Sequence, residues 1–203
     1  MKRTLTITLL LALVAMTAAA QTPRQMLDKA VAAIKNAGCV TASYSMKGSQ
    51  GASKGNITMS GTKFFLSSSD VKCWYDGSTM WTYSTMTDEV NITTPTAADM
   101  QMSNPYAAAQ DFQRNYNMWK AAGQIPGCYA IMLRPKVKAQ VRQVYLYIDV
   151  KTYLLRNVHV KMSDGSYYTI TLTNYKTNQS VSPSTFTFNK SMVPAGTQVV
   201  DLR

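Results

Sequence analysis

The sequence predicts a mainly β (α+β) domain, in which about ten to twelve strands run as an antiparallel meander with two amphipathic helices set against them. Three observations carry this expectation. Short segments alternating apolar and polar residues follow one another from residue 40 to 93 and again from 129 to 172, the period-2 pattern of strands with one apolar face and one wet face. Asp76-Gly77 and Asp164-Gly165 fall between such segments, and Asp-Gly flanked by strand-like runs signals a tight hairpin whose turn positions both need positive φ. Helical spacing is confined to a stretch after Pro23 and another after Asn104.

The elements follow in order. Residues 1–20 combine Lys2 and Arg3, an apolar run and small residues at Ala18 and Ala20, which reads as a secretory signal cleaved after Ala20. The run is shorter than the roughly 20 residues a membrane span needs. Gln21, not Cys, follows the expected cleavage site, so the exported chain is expected to be soluble, periplasmic and free of a lipid anchor. Residues 21–203 then form a single domain, with no linker, repeat or low-complexity tract to divide them.

The first helix, over 23–37, places Leu27, Ala30, Val31 and Ile34 on one stripe, with Pro23 in its first turn and Gly38 as its stop. Strands are expected at 40–47, 57–59, 63–67, 71–75, 79–84 and 90–93. Asn104 then caps a second helix with Pro105 at its first position, and Ala109, Phe112, Tyr116 and Trp119 line one face until Gly123 ends it. Residues 129–133 are apolar almost throughout, as in a strand covered on both faces. Val144, Leu146 and Ile148 alternate with Gln143, Tyr145 and Tyr147, and Val158, Val160 and Met162 with Asn157, His159 and Lys161. Tyr168, Ile170 and Leu172 follow the second Asp-Gly pair; further strands are expected near 186–188 and at 198–202. A sheet of this length must curl around its apolar face, and the helices then dock inside the curl or across its mouth.

Composition narrows the function. Lys and Arg number 21 against 10 Asp and Glu, and removing Lys2 and Arg3 lowers the net charge from +11 to +9. A basic exported chain points to membrane surfaces or acidic partners, whereas cations scattered singly argue against nucleic acid. Catalytic equipment is thin. His159 is the one histidine and lies on a predicted polar strand face; Glu89 is the one glutamate, and its neighbour Asp88 would point the opposite way. No hydrolase, phosphate-loop or zinc-protease motif occurs, and no metal or cofactor is expected. Cys39, Cys73 and Cys128 allow either one disulfide and a leftover thiol or none. Methionine is abundant, 13 in all, with Met100, Met102 and Met118 in or near the second helix. Such flexible, polarizable side chains suit ligands of variable shape, although they also fill gaps in irregular cores.

Asp76, Gly77, Thr79, Trp81 and Tyr83 form a DG-x-T-x-W-x-Y hairpin, and Thr-Phe-Thr-Phe at 185–188 precedes a tail containing Pro194 and Gly196. With the order of elements around them, these residues resemble the periplasmic outer-membrane lipoprotein carriers, LolA-like, of the branch found in Bacteroidetes-type bacteria. The likeness spans essentially all of 21–203. It implies an unclosed antiparallel β-barrel under a helical lid, whose apolar cavity holds acyl chains of a lipoprotein; it implies no enzyme. Cargo, lipoprotein or lipid, would come from an inner-membrane lipoprotein-releasing transporter and pass to an outer-membrane acceptor, the carrier acting as a monomer. Carried onto this sequence, the cavity comprises Ile57, Met59, Phe65, Cys73, Met80, Met118, Val144, Leu146 and Ile148, and the lid Phe112, Tyr116 and Trp119. One departure stands out: where such carriers hold the lid with an Arg, this chain has Gly61, with Lys63 two residues on, a point donor and not a bidentate fork. The rival implied by the same fold is an envelope-stress sensor bound to a membrane partner; an anchored acceptor would need Cys where Gln21 stands.

Overall fold

The computed structural model describes residues 21–49, 51–97, 99–100, 104–122 and 125–203. The expected signal (1–20), Met102 and the expected helix stop Gly123 lie outside the described residues. Helix α1 (Pro23–Asn36) starts on a capping box that satisfies two otherwise unpaired backbone donors. Thr22 Oγ1 accepts from Gln25 N at 3.2 Å, and Gln25 Oε1 accepts from Thr22 N at 3.0 Å. Gly38, at φ +63°, turns the chain into the sheet.

Six strands follow: β1 (Cys39–Gly48), β2 (Gly51–Ser60), β3 (Lys63–Ser68), β4 (Val71–Tyr75), β5 (Met80–Ser84) and β6 (Glu89–Thr93). Helix α2 (Pro105–Asn115) precedes β7 (Tyr116–Lys120), β8 (Cys128–Pro135), β9 (Val141–Asp149), β10 (Leu155–Met162) and β11 (Tyr167–Lys176). Two 3-10 turns, Pro183–Phe186 and Lys190–Met192, lead to β12 (Gln198–Asp201). All twelve strands join one sheet in the order β12-β6-β5-β4-β3-β2-β1-β11-β10-β9-β8-β7. Pairing is antiparallel except where β12 lies parallel on β6. The edges β7 and β12 stay apart, so the expected mainly β, unclosed sheet with two helices is what the chain forms.

Both Asp-Gly turns are built differently from the expected pair of positive-φ residues. Only the glycines, Gly77 at +108° and Gly165 at +91°, have positive φ. The aspartates instead act as acceptors for the next serine: Asp76 Oδ1 takes Ser78 N at 2.9 Å and Ser78 Oγ at 3.0 Å, and Asp164 Oδ1 takes Ser166 N at 2.8 Å and Ser166 Oγ at 2.6 Å. These are Asx turns, in which a side chain stands in for a backbone carbonyl. For Asp76, burial pushes the carboxyl up, but hydrogen bonds from Thr79 and Ser78 and the Lys63 charge outweigh it and hold the pKa below the ordinary value.

Three expectations need correction. The second helix ends at Asn115, and Tyr116 and Trp119 belong to strand β7. A four-residue step from Phe112 to Tyr116 fits a helix, but beyond Asn115 the two-residue period, Tyr116 and Met118 against Asn117 and Trp119, prevails. The strand expected near 186–188 gives way to a 3-10 turn through Phe186, with Pro183, which lacks a ladder donor, near its start and Ser182 Oγ capping it through Ser184 N at 3.3 Å. Nor does each strand bury one face only. Cys73, Trp74 and Tyr75 are all buried, because the 183–197 segment covers the outer face of β3–β5.

Tyr175 seals part of the inner core, its hydroxyl donating to Leu155 O at 2.6 Å. Burial lifts its pKa well above the usual tyrosine value of 10.0. The folded protein therefore holds the neutral phenol, and this contribution to stability is complete below pH about 10 and lost as pH rises from there through the folded-state pKa. A Tyr175→Phe protein is expected to show a shallower fall of Tm between about pH 9 and 11 than the wild type. Where β2 crosses β3, a Cβ on Gly55 would lie 1.9 Å from Ser67 O. Gly55→Ala should thus lower the denaturant midpoint by the equivalent of about 1–3 kcal/mol, the usual cost of overpacking, against little change for a substitution at exposed Asn56.

Candidate functional site

One face of the sheet carries two apolar clusters, and the helices lie on it. In the β8–β10 half, Ile131, Leu133, Val144, Leu146 and Ile148 pack against Met26, Leu27 and Ala30 of α1, with Phe112 and Tyr116 at the margin. In the β1–β5 half, Ala42, Ile57, Met59, Phe64, Cys73 and Tyr75 form a second cluster, closed by Ile34, Leu66, Met80, Met100 and Tyr175. Helix α1 serves both: its first two turns fill one cluster, and Ile34 near its end reaches the other.

The expected site residues divide accordingly. Val144, Leu146, Ile148 and Met118 meet in the first cluster, and Ile57, Met59, Cys73 and Met80 in the second. Phe65 does not join them. Ile57 pairs with Leu66 and Met59 with Phe64, so Phe64 and Leu66 share the inner face, whereas Phe65 pairs with Thr58 and Trp74 on the outer one. Phe64 is the interior aromatic, 1% exposed. A one-residue shift along a strand exchanges faces, and two adjacent phenylalanines give the sequence no means of choosing. Of the expected lid residues, Phe112 lies on α2 and touches Tyr116 edge to face at 5.0 Å, while Trp119 stands on edge strand β7, 44% exposed.

Polar contacts fasten the two helices to each other and, at their ends, to the sheet. Arg24 Nη1 donates to Gln113 O at 2.6 Å, and Gln113 Nε2 donates to Asp28 Oδ1 at 2.8 Å, tying α1 to α2. Tyr129 OH donates to Gln21 O at 2.7 Å ahead of α1. Asn104, 2% exposed, caps α2 by accepting from Ala107 N at 3.3 Å, and its Nδ2 donates to Thr62 O at 2.9 Å in the β2–β3 turn. Sequence reasoning found Asn104 as a cap but missed this second contact. Gly61 occupies that turn at φ +59°, and Lys63 leans towards the Asp76-Gly77 turn. The helix cover is thus held near Gly61 by a neutral side-chain amide.

All three cysteines are free, and burial raises the Cys73 thiol pKa, offset in part by Thr82 Oγ1 at 3.6 Å. His159 rests against the Tyr147 ring at 4.9 Å, with its pKa lowered by burial. Among the described residues, no cluster of His, Cys, Asp and Glu is placed to hold a metal ion. On the outer face Phe65 stacks on Trp74 at 5.3 Å and Trp74 meets Phe188 edge-on at 5.4 Å, under the chain that leads to β12.

This architecture matches solved structures at low identity. An uncharacterized conserved protein from Thermus thermophilus superposes with TM-score 0.62 at 10% identity, over 88% of this chain and 98% of that one. A LolA superfamily protein from Nitrosomonas europaea gives TM-score 0.45 at 10% identity, over 82% and 98%. The MucA/MucB complex of Pseudomonas aeruginosa gives 0.47 at 11%, over 82% of this chain and 61% of that one. No curated protein matches the sequence. Among the described residues, no helix is long and apolar enough to cross a membrane. The family model described as outer membrane lipoprotein carrier protein LolA matches residues 13–166. The chain belongs to the LolA family of outer membrane lipoprotein carrier proteins.

Proposed function

We propose that this protein is a periplasmic, non-enzymatic carrier that shelters lipoprotein acyl chains on the sheet face now covered by α1 and α2. One observation carries the reading: the inner face is apolar in both halves, and the helices that cover it are themselves fastened by a handful of polar contacts. Cargo would replace helix side chains with methylenes. Each buried CH₂ is worth about 0.8 kcal/mol, so an acyl chain of roughly fifteen methylenes gains about 12 kcal/mol in gross terms. Displacing Met26, Leu27 and Ile34 returns about 1.5–3 kcal/mol for each large side chain re-exposed. The difference leaves a modest net affinity, which a carrier needs in order to release.

In this reading the Ile57, Met59, Cys73, Met80 group and the Met118, Val144, Leu146, Ile148 group are two walls of one binding face, with Phe64 in the place assigned to Phe65. Lipoprotein arrives from an inner-membrane releasing transporter, travels with a monomeric carrier and leaves at an outer-membrane acceptor. Membership of the Bacteroidetes-type branch rests on the hairpin and tail motifs alone.

A photo-crosslinking amino acid at Met80 or Leu66, both only partly buried, should capture lipoprotein in cells, and one at Phe65 should not. Equal capture at all three positions, or at none, would sink the carrier reading. Lid competition gives a second check. Leu27→Ala removes packing that exists only in the closed form and should cost about 2–5 kcal/mol of stability. It should also tighten binding of a fluorescent fatty acid by at least about tenfold. A variant that loses stability and affinity together would show that α1 supports the binding face instead of competing for it.

A further inference from the structure

The end of the sheet where α2 finishes is a basic rim. Lys136 N donates to Asn115 O at 2.9 Å and Lys136 Nζ to Arg114 O at 2.6 Å, which seats the β8–β9 hairpin against the end of α2. Ser163 N donates to Gln140 O at 2.7 Å and Ser163 Oγ to Ala139 O at 2.8 Å, joining the β10–β11 turn to the same hairpin. Arg114, Arg134, Lys136, Lys138, Arg142 and Lys161 are all exposed on this rim, and none makes a salt bridge among the described residues. The carboxylates nearby are engaged locally: Asp164 Oδ1 accepts from Ser166, and Asp111 Oδ1 accepts from Asn115 Nδ2 at 2.6 Å. At the hairpin tip, between Lys136 and Lys138, Val137 stands 75% exposed.

We infer that this rim docks on an anionic phospholipid surface, with the Lys136-Val137-Lys138 tip as its point of entry. Charge complementarity selects the occupant. Unpaired cations concentrated on one face are attracted by a negative lipid surface at about 1 kcal/mol per Lys or Arg. An apolar side chain between two lysines can sink to the acyl boundary while the ammonium groups stay at phosphate level. One valine and a few charges give reversible adhesion, not anchoring. The inference stands apart from the carrier reading, since a protein that holds no acyl chain could still dock, and a carrier could load without docking.

The test is flotation of the purified exported protein with phosphatidylcholine vesicles and with vesicles in which roughly a third of the lipid is phosphatidylglycerol, at low and high salt. Expected is binding to the anionic vesicles alone, reversed by salt. Lys136→Gln/Lys138→Gln should weaken it by about thirtyfold, from about fivefold per charge. Val137→Asp should weaken it by at least as much. Lys35→Gln/Lys176→Gln, which removes the same charge from exposed positions at the opposite end, should change it less than about twofold. No binding to anionic vesicles, equal binding to neutral ones, or equal losses in the two double variants would each overturn the docking surface. Fatty-acid binding by Val137→Asp and by Lys138→Gln, which leave the Lys136 bond to the Arg114 carbonyl in place, is expected to be unchanged, so failure here is distinguishable from failure of the carrier reading.

Discussion

The packing of α1 on the inner face is the interaction on which the rest depends. Met26, Leu27 and Ala30 are buried against Ile131, Leu133, Val144, Leu146 and Ile148. Such packing is strong but carries little specificity for what lies on the sheet; any apolar surface of similar volume serves. On the carrier function proposed above, this apolar cover is what cargo would replace. Orientation comes from the polar fastenings, Thr22 with Gln25, Arg24 with Gln113 and Asn104 with Thr62, which place the helices without adding much to the energy that must be overcome to lift them.

A removable cover needs a frame that holds its shape without it. The outer face supplies one in the β3–β5 region. Trp74, Tyr83, Val90 and Val193 make a separate core, to which Phe65, Trp81 and Phe188 add aromatic contacts. Asp88 ties the tail down, accepting from Tyr83 OH at 3.1 Å and from Thr197 Oγ1 at 2.7 Å, before β12 pairs with β6. These strands are consequently buried on both sides, and their outer cover has nothing to do with the inner one. Loss of the helices would leave this half of the sheet still packed.

The same double burial explains what the sequence could and could not disclose. Most strands were legible because alternation holds where the outer face meets water, as in Val144 and Leu146 against the less buried Gln143 and Tyr145. Where the tail covers the outer face, alternation disappears, and Phe64 could not be told from Phe65 by period. The family likeness put Phe65 on the inner face, and the strand register puts Phe64 there. The helix-to-strand junction at Asn115 was hidden for a different reason: Phe112, Tyr116 and Trp119 keep helical spacing by coincidence, and only the pairing of Tyr116 with Pro135 and Trp119 with Met132 reveals a strand. The Asn104 contact to Thr62 joins residues 42 apart in sequence, and no local signal announces it.

Helix α2 links the two ends of the molecule. It begins where Asn104 meets the β2–β3 turn and ends where Lys136 donates to the Arg114 carbonyl on the basic rim. The second of these bonds uses an exposed ammonium that a lipid phosphate could also accept from. An ammonium carries three N–H donors, so Lys136 can keep the Arg114 carbonyl while it meets a phosphate, and α2, which runs straight from Asn115 into β7, stays seated with the rim docked.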